Sequence, residues 1–170
     1  MRWQAKFLAL MMLWLTVSSI DARAQAWRKH VHKSDGFESE FSGEVVVRPS
    51  QISEEAKARI VRSTNYIQNG GNFKYMVAAT LTKSGVIFDK GVEAGFGSYK
   101  CQASLGQTAL SVANGIGREL RGADCADGFQ VEARYYAVGN WFYQVIAQYK
   151  AGGGEPAARR FLQSFKVIGQ

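Results

Sequence analysis

Two runs, Phe129–Val138 and Trp141–Tyr149, meet across Gly139-Asn140, and no other part of the chain limits the fold as tightly. A Gly-Asn pair between two runs rich in Val, Ile, Tyr, Phe and Trp is a two-residue hairpin connection between strands. A register set by that turn places Tyr136 opposite Tyr143 and Arg134 opposite Val145 on one face. It places Tyr135 opposite Gln144 and Ala133 opposite Ile146 on the other. Both faces are largely apolar, so neither can be left in water, and the hairpin belongs inside a sheet covered on both sides.

The flanking sequence supplies more strands and too few helices for a helical covering of a parallel sheet. Asp35-Gly36 is a turn, and Phe37, Ser39 and Phe41 alternate with Glu38 and Glu40 as a half-buried strand should. Val45–Val47 is a short strand ended by Arg48-Pro49, and Ser53 before Glu54 and Glu55 signals a short helix to about Arg59. Ile60–Gln68 and Phe73–Thr82 form a second hairpin around Asn69-Gly70-Gly71-Asn72. From Val86 the period changes: Phe88, Val92, Phe96, Tyr99 and Ala103 describe one face of a long helix that carries Cys101 in its last turns. Asn114–Gly117 reads as a turn, Arg118–Leu120 as a short strand, and Gly122–Gly128 as a polar loop holding Cys125. Pro156 suits the first turn of a helix to about Gln163, and Ser164–Ile168 closes as a strand. The expected class is α+β: a mainly antiparallel β-sheet with helices packed on it, in one domain over residues 27–170.

The first 26 residues follow another logic. Arg2 and Lys6 precede an apolar stretch from Phe7 to Ile20, and Ala24-Gln25-Ala26 ends it in the small-x-small pattern of a secretory signal peptide, with cleavage between Ala26 and Trp27. Cleavage after Ala24 is the rival. The stretch is shorter than the ~20 residues a spanning helix needs, so no transmembrane anchor is expected in the mature chain. Removing residues 1–26 takes away Arg2, Lys6 and Arg23 against one acid, Asp21, and the formal charge of +7 falls to +5. No long Lys/Arg run interleaved with aromatic residues remains, and the densest basic patch, Trp27–Lys33, reads as a solvated first strand or arm, which argues against nucleic acid as a partner.

Export makes a disulfide the default for the two cysteines, Cys101 and Cys125. They are too far apart for a C-x-x-C redox pair and lack the neighbours of a structural metal site. His30 and His32 are the only histidines, and on a strand both rings share one face; two imidazoles alone are a weak metal site. Gly95-Phe96-Gly97 and Gly115-Ile116-Gly117 do not continue as a dinucleotide-binding motif, and no cofactor is expected. There is no G-x-S-x-G, no histidine after residue 32 and no directed pair of carboxylates, so no catalytic residue is assigned. The aromatic set Tyr135, Tyr136, Trp141, Phe142 and Tyr143 either fills the core or forms a ligand or partner face.

Several segments together resemble the exported PsbP-like and Mog-type α/β/α sandwich proteins, including small members from bacterial envelopes. They are Asp35-Gly36-Phe37 leading to Phe41-Ser42-Gly43, Gly117-Arg118-Glu119-Leu120, the hairpin from Arg134 to Tyr143, and Ala158–Lys166. The strand Glu38–Glu40 is more acidic than is usual there, and Phe41-Ser42-Gly43 lacks the usual proline. The resemblance implies an α/β/α sandwich, and an accessory or binding role with no shared catalytic site. The expected function is a periplasmic or secreted, non-catalytic module that binds an envelope protein or a small apolar ligand; the alternative is a small exported hydrolase with an unrecognised site. A bond between Cys101 and Cys125 should stabilise the fold by about 3 kcal/mol through chain entropy, so Cys101→Ser should lower the melting temperature. Denatured, unreduced protein should titrate no thiol; two reactive thiols would refute the bridge.

Overall fold

The computed structural model describes residues 26–169, so the expected signal peptide lies outside the described residues apart from Ala26. Ten strands and three helices follow one another as β1 (Arg28–His32), β2 (Phe37–Phe41), β3 (Val46–Pro49), α1 (Glu54–Lys57), β4 (Ile60–Asn69), β5 (Phe73–Thr82), α2 (Phe88–Gly97), β6 (Ala103–Leu110), β7 (Gly115–Ala123), β8 (Phe129–Val138), β9 (Trp141–Lys150), α3 (Glu155–Ser164) and β10 (Lys166–Val167). Seven strands make one antiparallel sheet in the order β3-β4-β5-β9-β8-β7-β6, and β1-β2-β10 make a second, smaller one.

The β8–β9 hairpin has the register that its turn dictates: Tyr136 faces Tyr143, Arg134 faces Val145, Tyr135 faces Gln144 and Ala133 faces Ile146. Its two apolar faces are covered from opposite sides. On one, Tyr136, Tyr143, Val145 and Tyr149 pack with Phe161 and Leu162 of α3 and with Phe37 and Phe41 of β2. On the other, Tyr135, Phe142 and Ile146 pack with Phe88 and Val92 of α2. A buried aromatic or branched side chain contributes about 1.5–3 kcal/mol, so these two layers dominate the stability of the fold.

The small sheet is held to the large one by a polar contact. Asp35, in the turn between β1 and β2, is 4% exposed. Its Oδ2 accepts from Tyr66 Oη at 2.6 Å, its Oδ1 pairs with Arg62 at 2.7 Å, and its backbone carbonyl accepts from Tyr143 Oη at 2.9 Å. Removing one partner of such a set leaves a desolvated group unpaired, which costs more than the net worth of the contact.

Three local expectations are corrected. The helix expected over Val86–Ala103 stops at Gly97, and Cys101 lies in the connection to β6 rather than in a helical turn; it is bonded to Cys125. The chain turns away where Lys100 takes a positive φ of 50°, and the residues beyond it are recruited by β7 as a strand. The turn expected at Asn114–Gly117 ends at Asn114, whose φ of 56° is left-handed, and β7 begins at Gly115 rather than Arg118. Gly115 marks a close approach instead of a turn, since a Cβ there would stand 2.3 Å from the Ala137 carbonyl oxygen. The closing strand shrinks to Lys166–Val167 and pairs with β2, outside the large sheet.

Both ends of the pH scale should loosen this packing. His30 and His32 lie side by side on β1, with His32 over Tyr66 at 4.0 Å and His30 edge-on to Phe41 at 5.4 Å. Burial, helped by His30 and opposed by Asp35, lowers the pKa of His32. The folded state therefore favours neutral His32, and its contribution is present above pH ~6.5 and lost as pH falls below that value. In the alkaline range, burial pushes Tyr75 and Tyr99 up to about 12 and also raises Tyr66, Tyr135, Tyr136 and Tyr149. Unfolded tyrosine ionises near pH ~10, so stability is intact below that and declines toward 12. Ultraviolet titration should show most of the seven tyrosines ionising together with unfolding; independent ionisation near pH ~10 would contradict their burial. His32→Phe should flatten the acid limb.

Candidate functional site

On the α2 side of the large sheet the covering is incomplete. Helix α2 sits close over β8 and β9: a Cβ on Gly91 would come within 2.9 Å of the Phe142 ring, and one on Gly95 within 2.5 Å of Gln144 Oε1. Nothing equivalent lies over β4 and β5. The next cover is β3 with the Ser50–Ser53 segment and α1, at the outer edge. The space between is a cleft of about 850 Å³, which narrows beneath α1 into a lobe of about 430 Å³. The lobes open into one another around Ile60, Thr80, Ala94 and Phe142, which line both. Cavities of this size suit small organic ligands.

The strand register lays out the floor. Ser63, Thr80 and Phe142 form one cross-strand row, Asn65, Ala78 and Gln144 the next, and Ile67, Met76 and Ile146 a third. Small or polar residues at Ser63, Thr80, Asn65 and Ala78 leave the sheet surface low over β4 and β5, beside Phe142 and the larger third row. Ser63 Oγ donates to Ser50 Oγ at 2.8 Å and lies 2.8 Å from Thr80 Oγ1, while Ser50 Oγ donates to Asn65 Oδ1 at 3.0 Å. A hydroxyl has one proton, so Thr80 must donate to Ser63, and the chain runs Thr80 to Ser63 to Ser50 to Asn65. It is a string of neutral groups along an otherwise apolar trough.

That lining can bind by hydrogen bonds and apolar contact. The charged side chains on it are Arg48 in the larger lobe and Glu55, Arg59 and Lys90 in the smaller. Neither lobe includes a histidine or cysteine, and each serine hydroxyl in the chain above meets a neutral oxygen rather than a base. General-base activation of a serine needs a basic group within hydrogen-bond reach, and the chain from Thr80 to Asn65 has none among its partners.

The residues singled out from the sequence are distributed elsewhere. Tyr136, Trp141 and Tyr143 are on the α3 face, and Tyr135 and Phe142 on the α2 face, because neighbours along a strand point to opposite sides. The five do not form one face, and only Phe142 reaches the cleft. Trp141 stacks on Tyr143 at 5.7 Å beneath the Arg62 guanidinium. Neither His30 nor His32 finds a hydrogen-bond partner for Nε2, and among the described residues no group of three His, Cys, Asp or Glu side chains is placed to hold a metal ion. Trp27, at the expected cleavage point, stacks on Tyr75 at 6.0 Å and lies under Arg160. Ser63, Asn65, Thr80 and Gln144 were not singled out from the sequence. Their signal was there as alternation: Ser63 and Asn65 two apart, paired with Thr80 and Ala78, make a face too small and polar for a core beside one that is filled.

No family model matches the chain, and no curated protein matches it in sequence. Among solved structures it is similar to the solution structure of cyanobacterial PsbP (CyanoP) from Synechocystis sp. PCC 6803, with a TM-score of 0.57 at 9% sequence identity over 90% of this chain and 99% of that one. No helix among the described residues is long and apolar enough to cross a membrane. The chain has an α+β fold of mostly antiparallel sheet, and that fold is PsbP-like.

Proposed function

We propose that this chain is a non-catalytic binding module of the bacterial envelope, exported to the periplasm or secreted, and that its ligand site is the cleft between α2 and the β3–α1 segment. The observation that carries this reading is the lining: apolar side chains with a string of neutral hydroxyl and amide groups bonded to one another along them. Export is supported by the charged, apolar and small-x-small succession of the first 26 residues and by the Cys101–Cys125 bond. The placement of α2 and α3 on opposite faces of the sheet supports an α/β/α sandwich of the PsbP and Mog type in a single domain over residues 27–170. The ligand is small, with an apolar part. A small exported hydrolase is the weaker reading, since the hydroxyls of Thr80, Ser63 and Ser50 bond to one another and to Asn65 rather than to a base.

A second reading, a protein partner, is favoured by strand β6. It is the outer strand of the large sheet, eight residues without a charge or a proline, and Leu105 on it is exposed. The opposite edge, β3, is short and carries Arg48 and Pro49, the usual protections of a strand edge. An extended segment of another protein could add to β6 as a further strand.

One substitution separates the two. Ala94 is exposed on α2 and lines both lobes of the cleft. Ala94→Trp should fill the opening at little cost to the fold. Thermal shifts of the full chain with a panel of ten-carbon alkyl compounds should show stabilisation that vanishes in Ala94→Trp. Stabilisation retained by the variant would place the ligand elsewhere; a partner on β6 would bind both proteins alike.

A further inference from the structure

The cleft is not uniform along its length, and the difference points to a class of ligand. Its larger lobe is lined by Ala78, Met76 and Phe142, and its one charged side chain is Arg48. Its smaller lobe is lined by Thr82 and Gly85 and by Arg59 and Lys90 together with one carboxylate, Glu55. Arg59 and Lys90 come from different elements, the turn after α1 and the first turn of α2, so two cations from separate segments line this lobe. Neither is in a salt bridge among the described residues, although Glu55 stands only four residues before Arg59. By contrast, Lys57 on α1 is paired with Glu54, and Arg118 beside α2 is paired with Asp89. The wider field has the same sign, with a formal charge of +5 on residues 27–170.

We propose that the cleft binds an anionic amphiphile: an acidic head group, carboxylate or phosphate, between Arg59 and Lys90, and an alkyl tail laid over Phe142, Ala78 and Met76. This rests on the reading of the cleft as the ligand site and adds polarity and direction to it. Two exposed cations each contribute modestly in water, but a tail that enters the trough brings the head group to them at high effective concentration. The neutral chain of Thr80, Ser63, Ser50 and Asn65 flanks the middle of the tail path, where it can meet an ester or hydroxyl of the ligand. Arg59 and Lys90 set the preference for charge, and the trough sets the preference for a tail.

Met76 makes the test direct, because of the four methionines in the chain it alone lies beyond residue 12. The full chain is labelled with ¹³C at the methionine methyls, and the Met76 resonance is assigned by its loss in Met76→Leu. It is titrated with decanoate, decyl phosphate, decanol, decyltrimethylammonium and inorganic phosphate, each below its self-association limit. Decanoate and decyl phosphate should shift the Met76 methyl saturably, at concentrations about fivefold to tenfold below those needed for decanol. The cationic compound should bind more weakly than decanol. The double substitution Arg59→Gln with Lys90→Gln should bring decanoate to the level of decanol and leave decanol unchanged, and Glu55→Gln should tighten decanoate. Equal binding of decanol and decanoate would overturn the anion preference while the cleft reading stands, and so would a double variant that binds decanoate as before. If inorganic phosphate competes as well as decyl phosphate, the amphiphile is overturned in favour of a bare anion site. If no compound moves Met76, the cleft reading fails with it.

Discussion

Both faces of the β8–β9 hairpin are apolar, and the positions of the other long elements follow from the need to cover them. Helix α3 and strand β2 meet one face through Phe161, Leu162, Phe37 and Phe41; helix α2 meets the other through Phe88 and Val92. Strands β5 and β7 flank the hairpin on either side, which leaves β8 and β9 without a free edge. A polar residue at Val145 or Ile146 would sit against a helix rather than water, so the hairpin can exist only as the middle of a layered structure.

The small sheet solves a different problem. Three short strands cannot stand alone, and β1-β2-β10 has apolar residues on one side only, with Phe37, Ser39 and Phe41 inward and Glu38 and Glu40 outward. Burying that side brings the Asp35 turn down onto Tyr66 and Tyr143 of the large sheet, where the carboxylate would be stranded without Tyr66 and Arg62. The acidic face of β2 is used as well, since Glu38 pairs with Lys29 and Glu40 with Arg160. Residues that looked unusually acidic for the strand thus tie β1 and α3 to it.

The cleft is what this arrangement leaves over. Helix α2 is only ten residues long and is drawn close to β8 and β9 by Gly91 and Gly95, so it cannot also cover β4 and β5. The Cys101–Cys125 bond acts in the same direction by holding the chain after α2 to the loop before β8. A longer or bulkier helix would have closed the trough and removed its opening between Ala94 and Ile60.

Local chemistry determined much of this protein without tertiary context. The Gly139-Asn140 turn set the hairpin register, Ser53 capped α1 by accepting from the Ala56 backbone N–H at 3.3 Å, and the alternation of Phe37, Ser39 and Phe41 set the buried side of β2. These depend on neighbours within a few residues, and the sequence states them directly. Where α2 ends, and that β6 is a strand, depended on partners far along the chain. The residues after Gly97 have helical spacing, yet β7 offers them a ladder of hydrogen bonds that a glycine-rich helix end cannot match. The cleft belongs wholly to this second kind. Its floor comes from three strands and its walls from α1, α2 and β3, and the alternation of Ser63 and Asn65 on one strand marks a small, polar face without showing what covers it; an opening is a relation between elements, and only their packing could decide it.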